Sequence, residues 1–466
     1  MIARNTRRLS IVASLLLAPA LLPAQQTVTI TLPEAIRLAA ARNIDVLRGD
    51  NDIRLAETFV ESARGAFHPD LNFSAGPTAR YRMGSTAEND VDVAVKHFIG
   101  ELALGFSSDY TLYDGGANRA TLDRAEALAA AAGVDVDRTV QVTIYTVVAL
   151  YVQIATQREM IGVERENLTA ERRLLEQVEA FTEIGTRPIS DLYTQQANVA
   201  AAEVRLLEAE YLIERASLAM VQALRLDPSR RYDFPTPTTA DLATIVAEAD
   251  LPVVQPSVDT TALVMSAIER RPEIIAQRTR IDAAEMAIRL AETGKSPTVS
   301  LFGSLGTSYT SLRDRYGFTD QLFAQNPGAA LGLSLTIPFF DRNRTEVAIA
   351  QARILQREEL LRMAELRQDA EIEVRQVLLD LTTATARLSA AERRVIATRA
   401  ALDVEQTRYE SGANTLVELS QARARMIESE AQVIEARNIL TLRTQTLAFA
   451  LGIITPVRVP VEMPGE

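Results

Sequence analysis

The chain has no cysteine and no tryptophan, only 2 histidines, and aromatic residues fill just 5% of its 466 positions. Without cysteine there is no disulfide, no thiolate metal site, no thiol nucleophile and no attachment point for a lipid anchor. The histidines, His68 and His97, have no companions at the spacing that metal binding or acid–base catalysis needs. Gly115-Gly116 is not followed by a phosphate-loop lysine, and no serine sits in a nucleophile elbow. A basic face is missing too: the formal net charge of −12 argues against a nucleic-acid partner. The reading is therefore of a protein that is not an enzyme and carries no metal or cofactor.

Long apolar runs are equally scarce. Arg4, Arg7 and Arg8 precede the apolar stretch Leu9 to Ala20, which reads as a secretory signal cleaved after Ala24. No later segment is expected to supply the ~20 consecutive apolar residues of a spanning helix. If the exported chain holds a membrane, it must do so with strands.

What the chain does have is a repeat. Asp114 and Asp341 are 227 residues apart, as are Gly185 and Gly412, while Pro69 and Pro297 are 228 apart. Register held over such a distance means two copies of one supersecondary unit. The reading divides the chain into a signal (1–24), a first copy (25–226), a linker (227–258), a second copy (259–454) and a tail (455–466). Pro228, Pro235, Pro237, Pro252 and Pro256 mark the linker, which has room for a short helix near Asp241 to Ala249.

Each copy runs through the same order. Thr31-Leu32-Pro33-Glu34 reads as a helix start with Thr31 as cap, and a second helix is predicted from Ile44 to Ala66. Helical periodicity then vanishes. Leu102, Leu104, Phe106, Tyr110 and Leu112 alternate with small or polar residues, as do Ala329, Leu331, Leu333, Leu335, Ile337 and Phe339. With weaker partners at Leu71 to Met83 and Thr298 to Thr310, strands of about 10 to 14 residues are expected. Polar connections are expected at Gly84 to Lys96 and Ser311 to Gly328. Alternation alone leaves open a pair of ordinary hairpins on a soluble domain. If the strands meet lipid, four cannot close a barrel, so several chains must share one.

After each hairpin comes a helix of nearly 70 residues, about 100 Å at ~1.5 Å per residue, and then a return helix. Val140, Ile144, Val147, Tyr151 and Ile154 recur at alternating spacings of three and four. So do Val199, Ala202, Leu206, Ala209, Ile213, Ala216 and Met220. This is a coiled-coil seam with small residues that allow close approach.

The Leu-x-x-Ala-like openings of both copies, Tyr113-Asp114-Gly115-Gly116, Ile337-Pro338-Phe339-Phe340-Asp341 and Tyr409-Glu410-Ser411-Gly412 are each weak motifs. In this order, doubling and spacing, the chain resembles the TolC-type outer-membrane efflux proteins over essentially its whole length. The resemblance implies a mainly α fold with a membrane β-barrel: a homotrimer with four strands per subunit in a twelve-stranded barrel. Below it, long coiled-coil helices form a tunnel into the periplasm. It implies an outer-membrane location and a passive exit duct for a tripartite efflux or type I secretion system.

The same resemblance assigns residues. Gly185 and Thr186, with Gly412 and Ala413, fall at hairpin tips that meet a periplasmic adaptor, and the adaptor joins an inner-membrane pump of resistance-nodulation-division or ABC type. Pore-gate positions fall on Glu418 and Gln421, where one carboxylate of the family's pair is neutral. An inter-helix latch falls on Asp191, Tyr409 and Asn414; Asn414 replaces a basic residue, and Arg187 is the candidate substitute. Two alternatives stay open at this point. A periplasmic adaptor would carry one hairpin with compact flanking domains, and an exported coiled-coil protein would have no use for duplicated greasy strands.

Overall fold

The computed structural model describes residues 27–88, 91–243, 259–313 and 315–454. The segments read as signal and tail lie outside the described residues, and so does most of the helix expected near Asp241; Thr239–Ala243 is helical.

Helices α1 (Leu32–Arg42) and α2 (Ile44–Gly65) lead into strands β1 (Asn72–Glu88) and β2 (Val91–Tyr113). Helix α3 (Ala117–Glu183) follows, and α4 (Ile189–Ala223) returns along it. The second copy repeats this with α5 (Thr260–Arg270), α6 (Pro272–Glu292), β3 (Thr298–Thr310), β4 (Gly328–Thr336), α7 (Arg344–Glu410) and α8 (Leu416–Ala450). Both long helices have 67 residues and both return helices 35. Their starts keep the 227-residue offset of the sequence.

The four strands form one antiparallel sheet in the order β1-β2-β3-β4. Pairing places like with like. Phe106 faces Leu305, Leu301 faces Leu333 and Val299 faces Leu335 on one side, while Ser107 faces Ser304 and Ser300 faces Ser334 on the other. One face is therefore greasy and the other lined by small polar residues, and both sheet edges are open within a protomer.

The strands depart from the expected lengths. β1 and β2 reach 17 and 23 residues because pairing continues from Gly84↔Val95 to Glu88↔Val91, through most of the expected polar connection. Polar side chains do not stop a ladder built from backbone groups. β4 has only 9 residues and stops at Thr336, before Pro338, which cannot donate to a ladder. Thr31 likewise makes no capping hydrogen bond. Pro33 removes one of the N–H donors that a cap would take. Asn43 caps α2 instead, accepting from the Asp45 N–H at 2.8 Å.

The main core gathers around the middle of α3. Val140, Ile144, Val147, Tyr151 and Ile154 pack with Ala216 and Met220 of α4, Val374 and Val377 of α7, and Leu447 of α8. The Tyr151 hydroxyl donates to the Ile30 carbonyl at 2.7 Å, fastening the segment before α1. From Thr139 to Gln157 α3 holds no charged residue, and by length and composition it could cross a membrane, contrary to expectation. More than half of that stretch is buried in this core, so helix packing explains its apolarity. Among the described residues, Val204, Leu207, Tyr211 and Leu218 form an exposed apolar stripe on α4, and Leu207 and Tyr211 line a groove with Arg158, Ile161 and Arg165 of α3.

Backbone strain differs between the copies. The first enters its long helix through Gly115 and Gly116 in the left-handed region (φ 69° and 92°), the second through Arg342 and Asn343 (φ 57° and 63°). Past the return helices, Arg225 (φ 53°) stands where the second copy has Gly452 (φ 70°). A side chain in this region costs about 1–2 kcal/mol, partly offset by the unfolded-state freedom that glycine adds. Arg225→Gly is expected to raise the thermal unfolding midpoint, with a gain of up to about 1 kcal/mol; a lowered midpoint would show that Arg225 makes contacts outweighing its strain.

Candidate functional site

Two tight turns close the helical hairpins at the end remote from the strands. Gly185 and Gly412 take φ of 73° and 77°, and the residues after them bond back into the preceding helix. Thr186 N–H donates to the Phe181 carbonyl at 2.9 Å, and Ala413 N–H to the Arg408 carbonyl at 2.8 Å. These glycines are required by conformation, since a side chain there would be strained. Nothing lies within 4 Å of where their Cβ atoms would be, so both turns face open space.

Arg187 crosses from the first turn to the second. Its guanidinium donates to the carbonyls of Tyr409 (2.8 Å) and Asn414 (3.3 Å) and stacks 4.4 Å from the centre of the Tyr409 ring. Asn414 in turn donates to the Glu405 carboxylate. The Tyr409 hydroxyl is buried without a hydrogen-bond partner among the described residues, and burial pushes its pKa up against the opposing pull of Arg187. Among the described residues Asp191 makes no side-chain hydrogen bond, although its charge also raises the Tyr409 pKa. Thus Arg187, Tyr409 and Asn414 meet, while Asp191 stays outside their hydrogen bonds. Leu174, Val178, Leu416 and Leu419 pack with Tyr409 into a small apolar core at the tips.

Glu418 belongs to a capping box. Its carboxylate accepts from the Thr415 backbone N–H (3.1 Å) and hydroxyl (2.9 Å), and its own N–H donates back to that hydroxyl. The backbone bond first, and the hydroxyl second, hold the Glu418 carboxyl below the usual glutamate range. Glu418 and Gln421 line one cavity between α7 and α8 with Glu405, Arg408 and Arg425. The cap was legible as Thr415-Leu416-Val417-Glu418, a T-x-x-E signature. Glu405 carried no such local signal, since it reaches Asn414 only through the fold.

The model of the family described as outer membrane efflux protein matches residues 35–224 and 263–453, one match per copy. The chain belongs to the outer membrane efflux protein family. Protein CyaE of Bordetella pertussis is 27% identical over 433 residues, covering 92% of this chain and 84% of its own length. Outer membrane efflux protein BepC of Brucella suis is 23% identical, covering 96% and 90%. Among solved structures, CusC superposes with a TM-score of 0.77 at 15% identity, covering 90% of this chain and 92% of the other. The outer-membrane channel OprN gives 0.73 at 20%, covering 91% and 90%.

As a member of the outer membrane efflux family the chain is an outer-membrane channel with a periplasmic helical tunnel and a component of efflux or secretion systems. The family's members are channels rather than enzymes, which sets aside the adaptor and structural coiled-coil readings. Its fold is that of the trimeric channels: each subunit gives four strands to a shared twelve-stranded barrel. The trimer supplies what one protomer lacks, partners for the open sheet edges.

Glu418 has a lowered folded pKa, so the cap adds stability above the unfolded glutamate pKa and loses it as pH falls through the lowered value. Thr415→Ala is expected to return the Glu418 carboxyl toward the ordinary glutamate range, read by carbon-13 NMR of labelled glutamate. The variant keeps the larger backbone bond, so an unmoved titration would mean that the hydroxyl takes no part in setting the charge.

Proposed function

We propose that this channel is the passive exit duct of a tripartite efflux or type I secretion assembly. Its tips, Gly185-Thr186 and Gly412-Ala413, dock a periplasmic adaptor, which couples the trimer to an inner-membrane pump of resistance-nodulation-division or ABC type. Open space around both glycines supports this reading, because another chain can approach the backbone there. The signal (1–24), the copies 25–226 and 259–454 and the linker 227–258 belong to the same proposal.

In the trimer three Glu418 side chains form an acidic ring that favours cations while the tunnel is closed. Gln421 adds no charge, so the ring carries one carboxylate per subunit. The bridge from Arg187 to the Tyr409 and Asn414 carbonyls carries the latch reading, because it ties the two hairpins of a protomer together. It replaces the charge-assisted bond that Asn414 cannot make. Asp191 belongs to the latch by its family position, and among the described residues it adds no side-chain hydrogen bond to the bridge. Relatives named for export, such as the pyoverdine export outer membrane protein OpmQ of Pseudomonas aeruginosa at 25% identity, support the direction of transport.

Single-channel recording of the trimer in a planar bilayer tests both parts. Glu418→Ala is expected to abolish cation preference, and Arg187→Met to raise the mean conductance at least severalfold. Unchanged preference would remove Glu418 from the gate, and unchanged conductance would remove Arg187 from the latch.

A further inference from the structure

One turn above the tip core, toward the barrel, lies a layer of a different kind. Glu171 of α3 is 6% exposed and Gln195 of α4 is fully buried. The Gln195 side-chain amide donates to the Glu171 carbonyl (3.0 Å) and carboxylate (2.6 Å). The other Glu171 oxygen lies 3.5 Å from Nη1 of Arg423, on α8, whose side chain is 12% exposed. Asn198 of α4 donates to Gln195 (3.1 Å) and to Ser420 of α8 (3.2 Å). Three helices therefore meet in one polar cluster, and its only full charges are Glu171 and Arg423.

Packing does not demand this. At the 227-residue offset the second copy has Thr398 where the first has Glu171, and Ala422 where the first has Gln195. The coiled coil closes there without a buried charge. Nor is the pair well satisfied: Nη1 of Arg423 is buried with no hydrogen-bond partner among the described residues. A buried ion pair with incomplete hydrogen bonding recovers little more than its desolvation cost, yet removing one partner strands the other. Such a pair adds little net stability but strongly selects the arrangement in which both charges are matched.

We infer that the Glu171–Arg423 pair is a second lock, distinct from the Arg187 bridge, that positions the gate-bearing helix α8 against the hairpin of α3 and α4. Arg423 lies five residues along α8 from Glu418, so α8 cannot swing away without separating the pair. Both residues are positioning residues that act through Glu418. This rests on the reading of Glu418 as gate. The lock sits in the shaft of the tunnel rather than at its docking surface, so opening requires the whole end of α8 to move and not the turn alone.

The test is single-channel recording of the full-length trimer, with thermal unfolding in parallel. Glu171→Gln and Arg423→Gln are each expected to raise mean conductance at least about fivefold, the low end of a real coupling between sites. The charge-swapped double variant, Glu171→Arg with Arg423→Glu, is expected to return it toward the parent value, which recovery of stability alone does not explain. Parental conductance in both single variants, with folded trimers, would overturn the lock. Glu418→Ala recorded alongside separates the two readings: lost cation preference there with silent Glu171→Gln and Arg423→Gln overturns the lock and leaves the gate. Raised conductance in the lock variants with unchanged preference in Glu418→Ala would keep the pair as a hold on α8 but overturn its action through Glu418, together with the gate.

Discussion

Lipid offers no hydrogen bonds, and much of this molecule follows from that. β1 and β4 each leave a row of backbone donors and acceptors unpaired in a single protomer, which no hydrocarbon layer tolerates. Closure by neighbouring copies satisfies them. Once the barrel is shared, the helices below it form a shared tunnel. The apolar row of Leu301, Leu331, Leu333 and Leu335 is the face that the shared barrel turns to the hydrocarbon layer.

Most of this architecture was legible because it is periodic. The alternation around Leu331 and the seam through Val140, Ile144 and Val147 each repeat often enough to name their element and its buried side. Ends were harder to read. The polar residues of 84–88 hid a continuing ladder, because strand pairing is a backbone property that side chains report only where one face is greasy. The uncharged run in α3 was overlooked because Gln141, Thr143 and Gln153 break its apolar appearance without adding charge. At the tips, Glu418 and Arg187 could be picked out by position. Neither the Glu405–Asn414 contact nor the Glu171–Arg423 pair could be, since the first depends on how the turn folds back on α7 and the second joins two helices whose rotation only the fold defines.

The two copies share a frame and divide the labour. Glycines enter the first long helix where Arg342 and Asn343 enter the second, and the buried charge at Glu171 has no counterpart at Thr398. The element lengths have been held while residues at equivalent places diverged. The tip follows this division: Arg187 belongs to the first copy, and the carbonyls it grips and Glu418 belong to the second.

The equal 67-residue shafts of α3 and α7 carry a consequence for how such a chain can change over time. Six shafts of one length end level in the trimer, like the staves of a cask. A single seven-residue insertion in α3 would preserve its seam but push three rims about 10 Å beyond the others. Length changes in this lineage should therefore come in matched sets, one in each copy and each repeated in the returning helix, whereas single substitutions are free to accumulate in either copy alone.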